Sequence, residues 1–495
     1  MILVLFFVVL ILFLFAKYIS QRPKNFPPGP PSYPLIGGIL SLPESDVHLA
    51  QEDWAHQYGH LVGVMTGPSA MLFIHGAPYV QEALKKAEFQ GRPRTVDITE
   101  RSYGKNLGIF FAEGRRWQVS RKFTVKFNRS FGIENMENIL QLEMDELVQK
   151  LSGSSERGHV YEVKELFSEL AVNTMWTILS GQRCTTQDKR IKVLLDNLSL
   201  AFRSGRPGAG AMTMLLTVIP QLRRFHTGIQ TQRKGTYLLQ EFFRESIRAH
   251  QATLDAANPR DFYDAFLIEA QNARNTGVDT DMWTEEDLIT ISLDIFSASY
   301  ESVNSTICFT LLYMILYPDV QTKLQQELDQ QLGSTRPTLA DKQRLHYVQA
   351  VIHEVFRINT IAPIVAPHRC TEDTTFQNYF IPKDTVIFMS IWSLLHDKQI
   401  WDEPSKFKPE RFLDTERKFD LKNVQLNFIN FGLGRRTCAG DQIASNIMFL
   451  FVASFFQKYT VLQDPNSASL PSTKAMPGFT TSPLPFRALI KERTE

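Results

Sequence analysis

The 495-residue sequence is short of the marks that define several large protein classes. Cysteine is scarce: Cys184, Cys308, Cys370 and Cys438 lie far apart, with no Cys-x-x-Cys pair. Neither a zinc cluster nor a dense disulfide framework is therefore expected, and a reducing compartment fits best. A charge excess is also missing. Fifty-three basic side chains face fifty-two acidic ones, and the +1 balance removes the electrostatic argument for nucleic acid as a partner. There is no internal repeat, no Walker lysine, and no flavin or nicotinamide fingerprint. Gly432-Leu433-Gly434 opens a G-x-G-x-x-G pattern, but Thr437 stands at the third glycine and no parallel-type strand precedes it, so a dinucleotide site fails.

What is present is a chain 43% hydrophobic, long enough for one large domain or two intimate ones. Met1 to Ala16 is apolar, a little short of the roughly 20 residues that span a bilayer. It has no basic leader or small-x-small cleavage site, and Lys17, Arg22 and Lys24 follow it, so residues 1–19 read as a signal anchor with the body held in the cytosol. Prolines 27, 28, 30, 31 and 34 then fix φ and remove donors, making residues 20–37 a stiff spacer.

Farther on, β-like runs ("VGVMT", "MLFIHG") give way to helices after about residue 115. Phe202 to Phe225 reads as a Gly-rich linker and an apolar segment with basic flanks, either resting on a membrane or forming an ordinary loop. Strand-like alternation returns from Thr374, and "KAMPGFTTSPLPFRALI" suggests a terminal hairpin.

A long helix is predicted from Thr284 to Tyr317, opened by a Thr284/Asp287 capping box and stopped by Pro318. It is apolar on nearly every side and so reads as buried; Asp294, Glu301 and Asn304 argue against a membrane span. Glu301 beside Ser302 is an acid next to an alcohol, a pair suited to passing protons; equally, Ser302 can bond back to the preceding turn. Cys438 lacks a local histidine to make it a nucleophile. It sits before a predicted helix, Asp441 to Lys458, with Arg435 and Arg436 beside it, an environment expected to favour the thiolate. One thiolate with arginines for acidic groups describes thiolate-ligated haem.

Phe431-x-x-Gly434-x-Arg436-x-Cys438-x-Gly440 resembles the haem-binding signature of the cytochrome P-450 superfamily at every fixed position. Three more matches follow the family's order: Trp117 and Arg121 in "WQVSR", Glu354 and Arg357 in "EVFR", and Arg411 in "FKPERF". The resemblance covers residues 38–495 as one catalytic domain and implies a mainly α fold with a smaller β region. It implies haem b with Cys438 as the axial ligand of iron, and an ion-pair network of Glu354, Arg357 and Arg411. It further implies propionate partners at Arg92, Arg121, His368 and Arg436, with Trp117 cofactor-binding on the same helix as Arg121. Thiolate donation to the iron favours O–O cleavage.

The family's A-G-x-[DE]-T-T stretch is Ala298-Ser299-Tyr300-Glu301-Ser302-Val303 here, so serines replace a glycine and a threonine. Glu301 and Ser302 are the implied catalytic pair, with proton delivery retained and coupling altered. The implied activity is insertion of one atom of O2 into a lipophilic substrate. Electrons come from NADPH through NADPH-cytochrome P-450 reductase, with cytochrome b5 as a second donor, at the endoplasmic reticulum membrane and its lipid. The implied pocket includes Phe111, Ala298, Ile361, Val365 and Phe479. Within the superfamily the chain is most similar to arthropod members of the clan holding the vertebrate drug- and steroid-oxidising forms, which makes a sesquiterpenoid or steroid the leading substrate. The competing readings are a peroxide-rearranging enzyme or isomerase of the same fold, and a non-catalytic haem sensor.

Overall fold

A computed structural model describes residues 10, 14, 22–33, 36–67, 69–130, 132–152, 158–184, 189–204, 221 and 227–493. The signal-anchor reading and most of the Phe202 to Phe225 reading fall outside the described residues. Among the described residues, no single helix is long and apolar enough to cross a membrane.

Seven helices position the site: α1 (Gly114–Ser130), α2 (Val163–Ser180), α3 (Thr227–Thr253), α4 (Phe262–Thr276), α5 (Glu285–Leu316), α6 (His346–Asn359) and α7 (Asp441–Lys458). The long helix α5 begins as its sequence demands: Thr284 accepts from the Asp287 N–H and Asp287 accepts from the Thr284 N–H, completing the capping box. It ends before Pro318, which opens the next helix after a 107° bend. Helices α2, α3, α6 and α7 surround α5, so its apolar body is core. One stripe is the exception. Ile295, Ala298, Ser299 and Ser302 recur at helical spacing and are less buried than Phe296, Ser297, Tyr300 and Glu301 between them. That stripe faces a cavity.

The main sheet has the order β1 (Leu61–Thr66), β2 (Ser69–Ile74), β4 (Val386–Met389), β3 (His368–Arg369), with the β2–β4 pair parallel and the others antiparallel. The proline-rich stretch is docked on this sheet rather than standing off as a spacer. Phe26 is buried, Gly63 N donates to Pro28 O at 2.8 Å, and Arg22 donates to Gly63 O at 3.0 Å. The approach requires glycine on both sides: a Cβ on Gly29 would stand 2.1 Å from Gly63 O, and one on Gly63 2.4 Å from the Phe26 ring. The predicted terminal hairpin forms between Ala475–Met476 and Ser482–Pro483, but Arg487–Glu492 leaves it to pair with His159–Glu162 and Tyr459–Gln463.

Candidate active site

Cys438 lies three residues before α7, in a loop closed by its own N–H donating to Phe431 O at 2.9 Å. Its Sγ accepts from Gly440 N at 3.4 Å and opens onto the cavity. Gly434, at φ +76°, admits the Leu84 carbonyl where a Cβ would be only 2.7 Å from that oxygen. Among the two glycines, then, Gly434 serves loop packing, while Gly440 faces open space.

The cation that acts on the Cys438 sulfur is Arg121 rather than the expected Arg435 and Arg436. Burial pushes the Cys438 thiol above its ordinary range; the Gly440 N–H opposes this, Asp441 adds to it, and Arg121 is the cation that pulls it down. Arg435 and Arg436 point elsewhere, stacking near the Trp117 ring at 5.7 and 4.0 Å.

Around the rim, arginines converge. Arg436 donates to Gln90 O at 3.1 Å and Ala112 O at 2.8 Å. Arg92 donates to Phe110 O at 2.9 Å and Ala366 O at 2.8 Å. Arg121, on α1 one turn from Trp117, reaches Thr437. All three partner carbonyls or a hydroxyl rather than carboxylates. Burial and the neighbouring guanidiniums hold Arg436 down to about 8 and Arg92 down to about 10. His368 is fully buried on β3, its Nδ1 2.6 Å from Phe89 O. Burial, Arg92 and Arg436 keep it well below the ordinary histidine range, so Nδ1–H donates to Phe89 and Nε2 carries a lone pair.

Three buried nitrogens here have no partner: Trp117 Nε1, Arg436 Nη1 and His368 Nε2. Two of them, Trp117 Nε1 and Arg436 Nη1, are donors, and unsatisfied buried donors beside crowded like charges are costly unless an anion completes them. Haem b fits these residues: its two propionates would supply the missing negative charge, and Cys438, which lines the cavity, would offer the sulfur to its iron. Haem brings O2 activation; the protein supplies seat, orientation and proton access.

Glu354, Arg357 and Arg411 are brought together, with Glu354 and Arg357 completely buried. Arg357 forks onto Glu354 at 2.7 and 2.9 Å, Arg411 Nε reaches the same carboxylate at 3.1 Å, and Lys408 N at 2.9 Å. Three of these four donors converge on Glu354 Oε1 and one reaches Oε2, and removing one partner of such a buried pair typically costs about 3–5 kcal/mol.

The cavity measures about 1560 Å³, above the roughly 300–1,000 Å³ of ordinary ligand pockets, so it has room for a large cofactor and a second ligand. Phe111, Ala298, Ile361, Val365 and Phe479 all line it, as do Phe431, Gly440, Arg92, Arg121 and Arg436. Ser302 lines it too, and its hydroxyl donates to Ala298 O at 2.6 Å, the back-bonded arrangement. Ser299 bonds back likewise to Ile295 O at 2.7 Å. Glu301 is 1% exposed and lies off the cavity stripe, so it does not meet the cavity directly. Arg101 is paired with Asp294 on α5 at 2.7 Å. Nothing in the sequence flagged that pairing, since 193 residues separate the two.

Fold and site together define a haem-thiolate protein. The family model for Cytochrome P450 matches residues 27–490, and the chain belongs to that family. It is a cytochrome P450 monooxygenase that uses haem b, O2, a small-molecule substrate and a redox partner. Among its relatives, a farnesoate epoxidase of Bombyx mori is 34% identical over 98% of each chain. Cytochrome P450 2J2 of Homo sapiens is 32% identical over 94% of this chain and 91% of its own. Cytochrome P450 2L1 of Panulirus argus is 29% identical over 96% of each.

Proposed function

We propose that this monooxygenase hydroxylates or epoxidises a lipophilic substrate of the sesquiterpenoid or steroid class. The observation that carries the reading is one continuous cavity running from Cys438 Sγ to an aromatic and aliphatic wall of Phe111, Ile295, Ala298, Ile361, Val365 and Phe479. Such a wall holds an apolar ligand by burial and leaves its orientation to shape. Similarity to a farnesoate epoxidase favours a sesquiterpenoid within that class.

Trp117, Arg121, Arg92, His368 and Arg436 hold the propionates, with His368 taking up a proton so that Nε2 donates. Glu354, Arg357 and Arg411 brace the core on the haem side. Ser302 relays protons from its place on the cavity stripe, with Glu301 supplying them from behind the helix face. Electrons reach the enzyme from NADPH through NADPH-cytochrome P450 reductase, with cytochrome b5 as an auxiliary donor. Residues 1–19 anchor the chain in the endoplasmic reticulum membrane with the catalytic domain in the cytosol.

The test is a reconstitution of the full chain with reductase and NADPH. A thiolate-type absorbance of the reduced, CO-treated protein is expected, followed by high-spin shifts on titrating terpenoids, fatty acids and steroids, and by reductase-dependent product. Turnover of hydroperoxides alone would move the assignment to a rearranging enzyme. A stable spectrum without any turnover would leave a haem-binding sensor.

A further inference from the structure

Beyond the haem edge the cavity wall carries four cations, Arg94, Arg101, Arg233 and Arg369, and each meets a carboxylate. Arg233 on α3 forks onto Glu100 at 2.8 and 2.5 Å. Arg369 reaches Glu113 at 2.7 Å and Asp384 at 2.5 Å, and Arg94 Nε reaches Glu113 at 2.7 Å. Glu100, Glu113, Asp294 and Asp384 therefore offset the four guanidiniums one for one.

Arg101 is the decisive member, because it lies over the Phe111 ring at 5.6 Å, beside the apolar wall. Its Nη2 stands 2.7 Å from Asp294 Oδ1, in ion contact rather than an aligned hydrogen bond. The other oxygen of Asp294 accepts from Ile109 N at 2.8 Å and Phe110 N at 3.0 Å. Gly108, at φ +87°, allows the loop to close this tightly: a Cβ there would stand 2.3 Å from Asp294 Oδ2. Asp294 is thus fixed from the loop backbone while it cancels Arg101. A ligand carboxylate entering this part of the wall, away from the haem-edge arginines, would lose its water and meet Arg94, Arg101, Arg233 and Arg369, each already paired with a carboxylate.

We infer that this cavity selects uncharged ligands, such as esters, alcohols or ketones of an isoprenoid or acyl skeleton, over the matching free carboxylates, because Asp294 neutralises Arg101. The inference rests on the lipophilic-substrate reading above. The relevant negative charge in the wild-type cavity is already supplied by the protein, so a second one has no place to sit.

The experiment uses the haem-loaded full chain and reads high-spin spectral shifts. The probes are matched methyl ester and free acid of a C15 isoprenoid, and methyl dodecanoate with dodecanoic acid. The ester of each pair is expected to bind at least tenfold tighter. An ester enters any apolar cavity more readily than an acid, so variants separate that effect from charge. Asp294→Asn keeps an oxygen for the loop amides but frees the Arg101 charge, and acid affinity is expected to rise at least tenfold with ester affinity unchanged. The double variant Arg101→Gln/Asp294→Asn removes both charges, and acid affinity is expected to match wild type. A drop in acid affinity in the double variant, or an acid that outbinds its ester in wild type, overturns the inference. If only the acyl pair binds and obeys the ratio, the isoprenoid assignment fails and the inference stands. Silence from both pairs overturns the lipophilic reading and the inference with it. Should Asp294→Asn not load haem, Arg101→Gln alone decides: it leaves the Asp294 carboxylate uncancelled, so acid affinity is expected to fall at least tenfold with ester affinity unchanged, and an unchanged acid affinity overturns the inference.

Discussion

At the haem edge, Arg92, Arg121 and Arg436 crowd together with carbonyl and hydroxyl partners, while across the same cavity Arg101, Arg233 and Arg369 each hold a carboxylate. The first group leaves buried donors unpartnered and depresses its own basicity; the second is charge-neutral as folded. The difference separates what a ligand must complete from what the chain completes for itself. An uncompensated cation cluster is tolerable where a tightly held anion arrives with the cofactor, which couples haem binding to the stability of this edge. A paired cluster makes no such demand, and so it shapes the cavity without asking for charge.

The comparison is broken most severely at its anchor. Cys438→Ser is expected to abolish the thiolate-type absorbance of the reduced, CO-treated protein altogether, since Cys438 is the one thiol among the described residues that line the cavity. A retained thiolate spectrum would remove Cys438 from the iron.

Next in size is Arg436→Gln. Losing a charge-assisted bond is worth about 1.5–3 kcal/mol, so haem affinity should fall roughly ten- to a hundredfold in a haem-transfer assay. Thermal unfolding of the haem-free variant should be no worse than that of the haem-free parent, because a buried, like-charge-crowded cation has been removed. Arg101→Gln, its counterpart in the paired group, should instead leave haem affinity unchanged. Equal haem losses from the two would erase the distinction.

Most of the elements behind this contrast were legible in the sequence. The capping box at Thr284 and the stop at Pro318 bound α5 to within a residue, and α7 runs over Asp441 to Lys458 as its pattern predicts. Periodicity carries such information because it is local. Side-chain direction is not local. The two arginines flanking Cys438 in sequence point away to Trp117, while Arg121, 317 residues upstream, faces the sulfur. Likewise Glu301 and Ser302 are neighbours in sequence, yet a 100° step around the helix buries one and opens the other to the cavity. Arg101 required the loop to fold before its partner existed.

Ser302→Ala sharpens the cavity side with a smaller effect. Its hydroxyl already donates to Ala298 O, and Ser299 offers a second hydroxyl one turn away on the same stripe. Product formed per NADPH consumed should fall severalfold, less than the roughly hundredfold or more typical of a sole proton-transfer group. An unchanged yield would take Ser302 out of proton delivery.

The smallest effect concerns a compensated pair placed wholly in the core. His250 on α3 has Nε2 2.8 Å from Asp261 Oδ2 and Nδ1 2.7 Å from Ser246 O, so both ring nitrogens are suited to the imidazolium. Burial opposes the charge, but the Asp261 carboxylate and the Ser246 carbonyl outweigh it and raise the histidine above its ordinary value of 6.5. Asp261 also caps α4, accepting from Asp264 N at 3.0 Å, so the pair ties the end of α3 to the start of α4. A raised folded-state value means the pair contributes fully below pH 6.5 and loses its contribution as pH climbs through the higher folded value. The denaturant midpoint of the haem-loaded protein should therefore decline over that interval, and His250→Gln should flatten the decline without altering haem or ligand affinity. A variant with the parent's pH slope would show that His250 is not the titrating group, and one that lost haem would show that compensated charge in the core is not independent of the haem edge.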